Sequence, residues 1–85
     1  MNFLHYDINA GSGNAVRVTL DKQANVVLLD DSNFHRYKNG GPFQYYGGLA
    51  KQSPIVLRIP YSGHWNVVVD LGGLPGTVNV SVEVI

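Results

Sequence analysis

Ser62, His64 and Asp70 are the side-chain types of a hydrolytic triad, in which an imidazole takes the serine proton and a carboxylate orients the imidazole. Their spacing argues against that chemistry. Ser62 and His64 flank one tight turn, and Asp70 follows His64 on what reads as a single strand, roughly 20 Å away at about 3.3 Å per residue. They are read instead as turn residues and a polar strand position. His5, His35 and His64 supply imidazoles enough for zinc, yet their spacing matches neither His-x-His nor the helical His-Glu-x-x-His pattern. No metal site is assigned, and the histidines are read as hydrogen-bonded polar groups. His64 is the residue expected to respond to pH, since imidazole titrates near neutrality, and Trp65 beside it is expected in the core. With few titratable groups and no pairing of base with nucleophile, the chain is read as non-catalytic, and no catalytic residue or cofactor is assigned.

The stretch Asn39-Gly-Gly-Pro-Phe-Gln-Tyr-Tyr-Gly-Gly48 points to contact rather than to catalysis. Glycine lets a backbone turn and approach a ligand closely, and tyrosine offers a flat, amphipathic face at small entropic cost. The stretch contains neither Gly-x-x-x-x-Gly-Lys-Ser/Thr nor Gly-x-Gly-x-x-Gly, so the known phosphate cradles do not apply. Three readings stand. Loop N–H groups with Arg36, Lys38 and Lys51 hold an anionic group while Tyr45 or Tyr46 stacks on a base. Alternatively, one tyrosine fills the core, the other covers a sheet edge, and the glycines only turn the chain. In the third, the tyrosines, Arg36 and Phe43 form a protein interface.

Short strands must position these residues. Asn14 to Leu20 alternates, with Val16, Val18 and Leu20 on one face. Phe3 to Ile8 reads as the strand before it, and the Gly11–Asn14 turn between them suits a hairpin. Val26-Val-Leu-Leu29 is a continuous apolar run, consistent with a strand covered on both faces. Asp30-Asp-Ser32 followed by Asn33-Phe-His-Arg-Tyr-Lys38 and Asn39-Gly40 reads as one or two helical turns with an N-cap, basic residues late and glycine after the end. Phe34 and Tyr37 would share its packing face, leaving His35, Arg36 and Lys38 exposed. Pro54 and Pro60 bracket a strand from Ile55 to Ile59, Tyr61–His64 turns, and Trp65 to Leu71 alternates again. Gly72–Gly76 is a turn, and Gly76 to Ile85 closes the chain with Val78, Val80, Val82 and Val84 facing one way. About six short strands and one helical turn predict an all-β fold, a sandwich or a closed barrel.

The 85 residues support a single domain, 1–85, near the size where folding buries only about 60–65 % of the unfolded surface. An apolar fraction of 45 % against 14 % charged residues describes a packed globule. Six Lys and Arg balance six Asp and Glu, which removes the basic footprint needed for duplex nucleic acid or an anionic membrane. Near-zero net charge also weakens the self-repulsion that keeps molecules apart, which leaves a homo-oligomer open. The sequence has no cysteine, hence no disulfide framework or thiolate site, which fits a cytoplasmic location. Met1–Asp7 lacks the basic start and apolar stretch of a signal peptide.

The spaced motifs Ala24-Asn25, Asp31-Ser-Asn-Phe34, Tyr37-Lys38, Tyr45-Tyr-Gly-Gly48, Ser53-Pro54, Pro60, Ser62-Gly-His-Trp65 and Asp70-Leu-Gly-Gly73 resemble a small bacterial family, domain of unknown function 1883. The resemblance spans nearly the whole chain. It implies a small, mostly β domain that occurs alone or beside a TIR domain, and a sensory or ligand-binding accessory role by analogy. It brings no assigned activity and no catalytic residues. The expected function is therefore non-catalytic binding of a small anionic or nucleotide-like ligand by Arg36, Lys38, Tyr45, Tyr46 and Lys51, with His64 as an outer member. A protein-interaction or homo-oligomerisation module is the alternative.

Overall fold

The computed structural model describes residues 3–73 and 75–85, so Leu74 of the expected Gly72–Gly76 turn lies outside the described residues. Seven strands and one helix follow in the order β1 (Leu4–Ala10), β2 (Ala15–Leu20), β3 (Ala24–Leu29), α1 (Asp31–Lys38), β4 (Tyr46–Ala50), β5 (Ile55–Arg58), β6 (Gly63–Asp70) and β7 (Val80–Val84). They form two antiparallel sheets, one ordered β1-β6-β3-β4 and the other β5-β2-β7. The sheets pack face to face as a sandwich and do not close into a barrel.

Alternation builds the main core. Val16, Val18 and Leu20 of β2 meet Val26 and Leu28 of β3, Ala50 of β4, and Trp65, Val67 and Val69 of β6, and all are buried. Trp65 is 1 % exposed, as its position at the start of an apolar alternation predicts. The opposite face of the four-stranded sheet is also covered. There Val27 and Leu29 of β3 and Val68 of β6 pack under Phe34 and Tyr37 of α1, with Phe3 and Phe43 at the margin. This second layer explains why Val26–Leu29 is an unbroken apolar run: successive side chains enter different cores. An eight-residue helix has no independent stability. The two buried rings, at about 2–3 kcal/mol each for full burial, anchor it to the sheet.

Two expectations are corrected. β1 and β2 do not form a hairpin, because β1 pairs with β6 while β2 pairs with β5 and β7. The Gly11–Asn14 turn is real, closed by Asn14 N donating to Gly11 O (2.9 Å) and Gly11 N to Asn14 Oδ1 (2.9 Å). It carries the chain from one sheet to the other, a choice that turn residues alone do not encode. The Asn39–Gly48 stretch is not all loop either, since Tyr46–Ala50 is an edge strand on β3. Gly47 stands at φ +110° opposite Val27, where an added Cβ would run into the Val26 carbonyl oxygen, so glycine is required for β4 to lie this close to β3.

Candidate ligand-binding groove

The groove begins at the first turn of α1. Asp30 caps the helix, its Oδ1 accepting from Asn33 N at 2.8 Å and from Asn33 Nδ2 at 3.0 Å. Asn33 in turn accepts from Gln44 N at 2.8 Å, which ties the helix to the segment carrying the tyrosines. Phe43 packs edge-on against buried Tyr37, with ring centres 5.1 Å apart, and Tyr45 rests on Phe43 at 5.6 Å. On the other side Tyr61 leans on Trp65 at 4.8 Å, and Tyr46 meets Trp65 edge-on at 6.1 Å. The Trp65 indole N–H donates to the Tyr61 carbonyl (2.9 Å), and the Tyr61 hydroxyl reaches Asp30 Oδ2 at 3.3 Å.

Between these groups lies an open groove of ≈ 620 Å³, floored by Leu28 and Trp65 and walled by Asp30, Asn33, Gln44 and the three tyrosines. That volume falls inside the range of about 300–1,000 Å³ usual for small-molecule sites. Tyr45, Tyr46 and Tyr61 are 50 %, 50 % and 51 % exposed, so each is fixed at its base and presents surface to solvent. Neither Tyr45 nor Tyr46 fills the core, contrary to one of the readings of that pair.

Of the residues singled out in the sequence, Tyr45 and Tyr46 come together here. Arg36 is exposed on α1, three residues beyond Asn33 and so one turn further along the helix. Lys38 lies over the Phe34 ring, Nζ 4.7 Å from its centre. Lys51 lines a separate hollow of ≈ 220 Å³ with Lys22 and Asp21. Loop N–H groups expected to face an anion are used within the fold, Gly40 N bonding Tyr37 O, Gly41 N bonding Arg36 O, and Gln44 N bonding Asn33. The sequence reading did not single out Tyr61, Asp30, Asn33 and Gln44 as contact residues. Tyr61 stood in a turn after Pro60 and Asp30 at a helix start, and only the fold puts them opposite Tyr45 and Tyr46.

His64 belongs to a different cluster. Its Nδ1 lies 2.7 Å from Asp31 Oδ1 and its Nε2 3.2 Å from Asp7 Oδ2, linking β6 to α1 and β1. With a carboxylate facing each ring nitrogen, the doubly protonated imidazolium is favoured, and the pKa rises above its ordinary value, chiefly through Asp31 and then Asp7. Asp31 moves the opposite way, held below the usual carboxylate range first by Asn66 and then by His64. Buried Asn66 donates to Leu29 O (3.2 Å) and Asp31 Oδ1 (2.8 Å), which leaves its Oδ1 to accept from His5 Nε2 at 2.8 Å. The proton of His5 therefore sits on Nε2.

Asp70 is bound elsewhere, by Asn25 Nδ2 (3.0 Å), the Tyr37 hydroxyl (3.0 Å) and Gly72 N (2.8 Å). Burial and that contact push the Tyr37 hydroxyl pKa up. His64 and Asp70 thus have separate partners, and Ser62, His64 and Asp70 are not assembled as a triad. Among the described residues no group of three or more His, Cys, Asp or Glu is placed to hold a metal ion. Nor, among those residues, is any helix long and apolar enough to cross a membrane.

No curated protein and no solved structure matches the chain. A family model does match, over residues 1–85, and the chain that builds this tyrosine-lined groove belongs to the family described as Domain of unknown function (DUF1883).

Proposed function

We propose that this domain is a non-catalytic binding module that takes a small ring-bearing ligand in the groove between α1, Tyr45, Tyr46 and Tyr61. One observation carries the reading: three half-exposed tyrosines, from two separate segments, converge with Asp30, Asn33 and Gln44 on one groove of ligand size. Aromatic faces supply contact area, and the carboxylate and amides supply direction. Among the described residues Asp30 is the one carboxylate lining the groove, and it is engaged in capping α1, an arrangement suited to holding a ligand rather than to proton transfer. A sensory or accessory role is what the family resemblance suggests by analogy, and the cysteine-free sequence supports a cytoplasmic location.

Thermal shift against a panel of sugars, nucleosides and nucleotides tests this, since a ligand that binds only the folded state raises stability by RT ln(1 + [L]/Kd). A saturable shift lost in Tyr46→Ala, in a variant that still folds, is the expected result. A flat panel overturns it.

A second reading, assembly through a sheet edge, is favoured by the three-stranded sheet, in which β5 and β7 are the outer strands and Val56 and Val84 are exposed. Light scattering decides it, because a strict monomer over a wide concentration range removes self-assembly.

A further inference from the structure

We infer that the ligand of this groove is an uncharged saccharide; the inference rests on the groove reading above and names its chemistry. Among the described residues no lysine or arginine lines the groove, whereas the Asp30 carboxylate does. A phosphate placed there would meet a like charge and no compensating cation. A neutral, hydroxyl-rich ligand meets a complementary surface.

Hydrogen-bond capacity points the same way. Asp30 Oδ1 already accepts two bonds from Asn33, while Oδ2 receives only the 3.3 Å contact from the Tyr61 hydroxyl. An acceptor position therefore remains open on Oδ2, where a ligand donor can bind. A sugar hydroxyl provides one, and a hydroxyl bonded to a carboxylate makes the stronger, charge-assisted kind of bond. Gln44 lines the same groove with an amide that both donates and accepts, which suits hydroxyls that do the same.

The aromatic residues supply apolar contact area for such a ligand. Tyr45 rests on Phe43, while Tyr46 and Tyr61 lean on Trp65 at interplanar angles of 74° and 54°. Each of the three tyrosines is braced by a neighbouring aromatic ring and keeps about half of its surface exposed. Exposed aromatic surface of this kind packs against the apolar C–H face of a pyranose, and Asp30 and Gln44 line the same groove to meet its hydroxyls.

The test is a backbone NMR titration of the domain with glucose, galactose, maltose, cellobiose and chitobiose, and in parallel with adenosine and AMP. It is repeated on Asp30→Asn, which removes the charge and retains an N-cap side chain. Saturable shifts at Gln44, Tyr45, Tyr46 and Tyr61 with at least one sugar are expected, with affinity about tenfold weaker in Asp30→Asn. Tyr46→Ala should abolish them while its spectrum stays dispersed. Adenosine or AMP binding in the groove while the sugars stay silent, or AMP binding tighter to Asp30→Asn than to wild type alongside silent sugars, overturns the saccharide inference and leaves the groove reading standing. Silence from every probe overturns both.

Discussion

His64 Nδ1 and Asp31 Oδ1 stand 2.7 Å apart, joining the start of β6 to the first turn of α1, and Asp7 closes on the other ring nitrogen from β1. Three elements distant in sequence thus meet at one titratable ring. Because folding raises the His64 pKa above its ordinary 6.5, its contribution to stability is complete below that value and is lost as pH rises through the raised pKa. Asp31 has a lowered pKa, so its contribution is present above the ordinary 3.8 and lost as pH falls through the lowered value. Melting curves of wild type and His64→Gln should therefore differ most in mildly acidic buffer and converge in alkaline buffer. A constant gap from about pH 5 to about pH 9 would contradict the ion-pair account.

Asn66 is buried and serves the Leu29 carbonyl, Asp31 and His5 together. Asn66→Asp replaces the donating amide with a second carboxylate beside Asp31 and removes the side-chain bond to the Leu29 carbonyl. Destabilisation on the order of 3 kcal/mol is expected at neutral pH. Part of it should return in acid, where the new carboxyl carries a proton to donate. Urea unfolding at both pH values measures this, and a pH-independent loss would place the cost in packing instead.

Gly47→Ala should weaken the fold by about 1–3 kcal/mol, since the new Cβ meets the Val26 carbonyl at a backbone conformation that side chains rarely adopt. Gly48→Ala is the matched control: its φ is also positive, at +146°, yet no atom lies within 4 Å of its added Cβ, so it should cost less. Equal losses in the two variants would show that backbone strain, rather than contact with β3, governs β4.

Tyr45→Ala and Tyr46→Ala should each change stability by no more than about 1 kcal/mol, because both side chains are half exposed. Phe34→Ala, which removes a buried ring between α1 and the sheet, should cost about 3–5 kcal/mol. Thermal denaturation of the three variants compares them directly. A collapse of the fold in Tyr46→Ala would reassign that ring to structural support.

The fold was legible where a side chain's surroundings depend on its immediate neighbours. Alternation of Val16, Val18 and Leu20 marked a half-buried strand, the Val26–Leu29 run marked one buried on both faces, and Asp30 with Phe34 and Tyr37 marked a capped, one-sided helix. Long-range pairing was not legible, which is why the β1–β2 hairpin was expected and β4 was missed. Gly47 and Gly48 carry no side-chain alternation, so Tyr46–Ala50 looks like loop until β3 is placed beside it. The groove was half legible for the same reason. Tyr45 and Tyr46 announce exposed aromatic surface, but their meeting with Tyr61 and Asp30 depends on sheet order.

The helix lying on the four-stranded sheet leaves β3 and β6 without a solvent face, while β1, β2, β5 and β7 retain one. The two kinds of strand therefore differ in the substitutions they can accommodate. Along β1, β2, β5 and β7, a polar side chain can face solvent at every second position. Along Val26–Leu29 of β3 and Val67–Val69 of β6, consecutive side chains all lie in one core or the other, so a polar replacement at any of them would be buried. The two central strands are therefore the least able to accept a polar residue, and Leu28 and Trp65 on them also floor the groove.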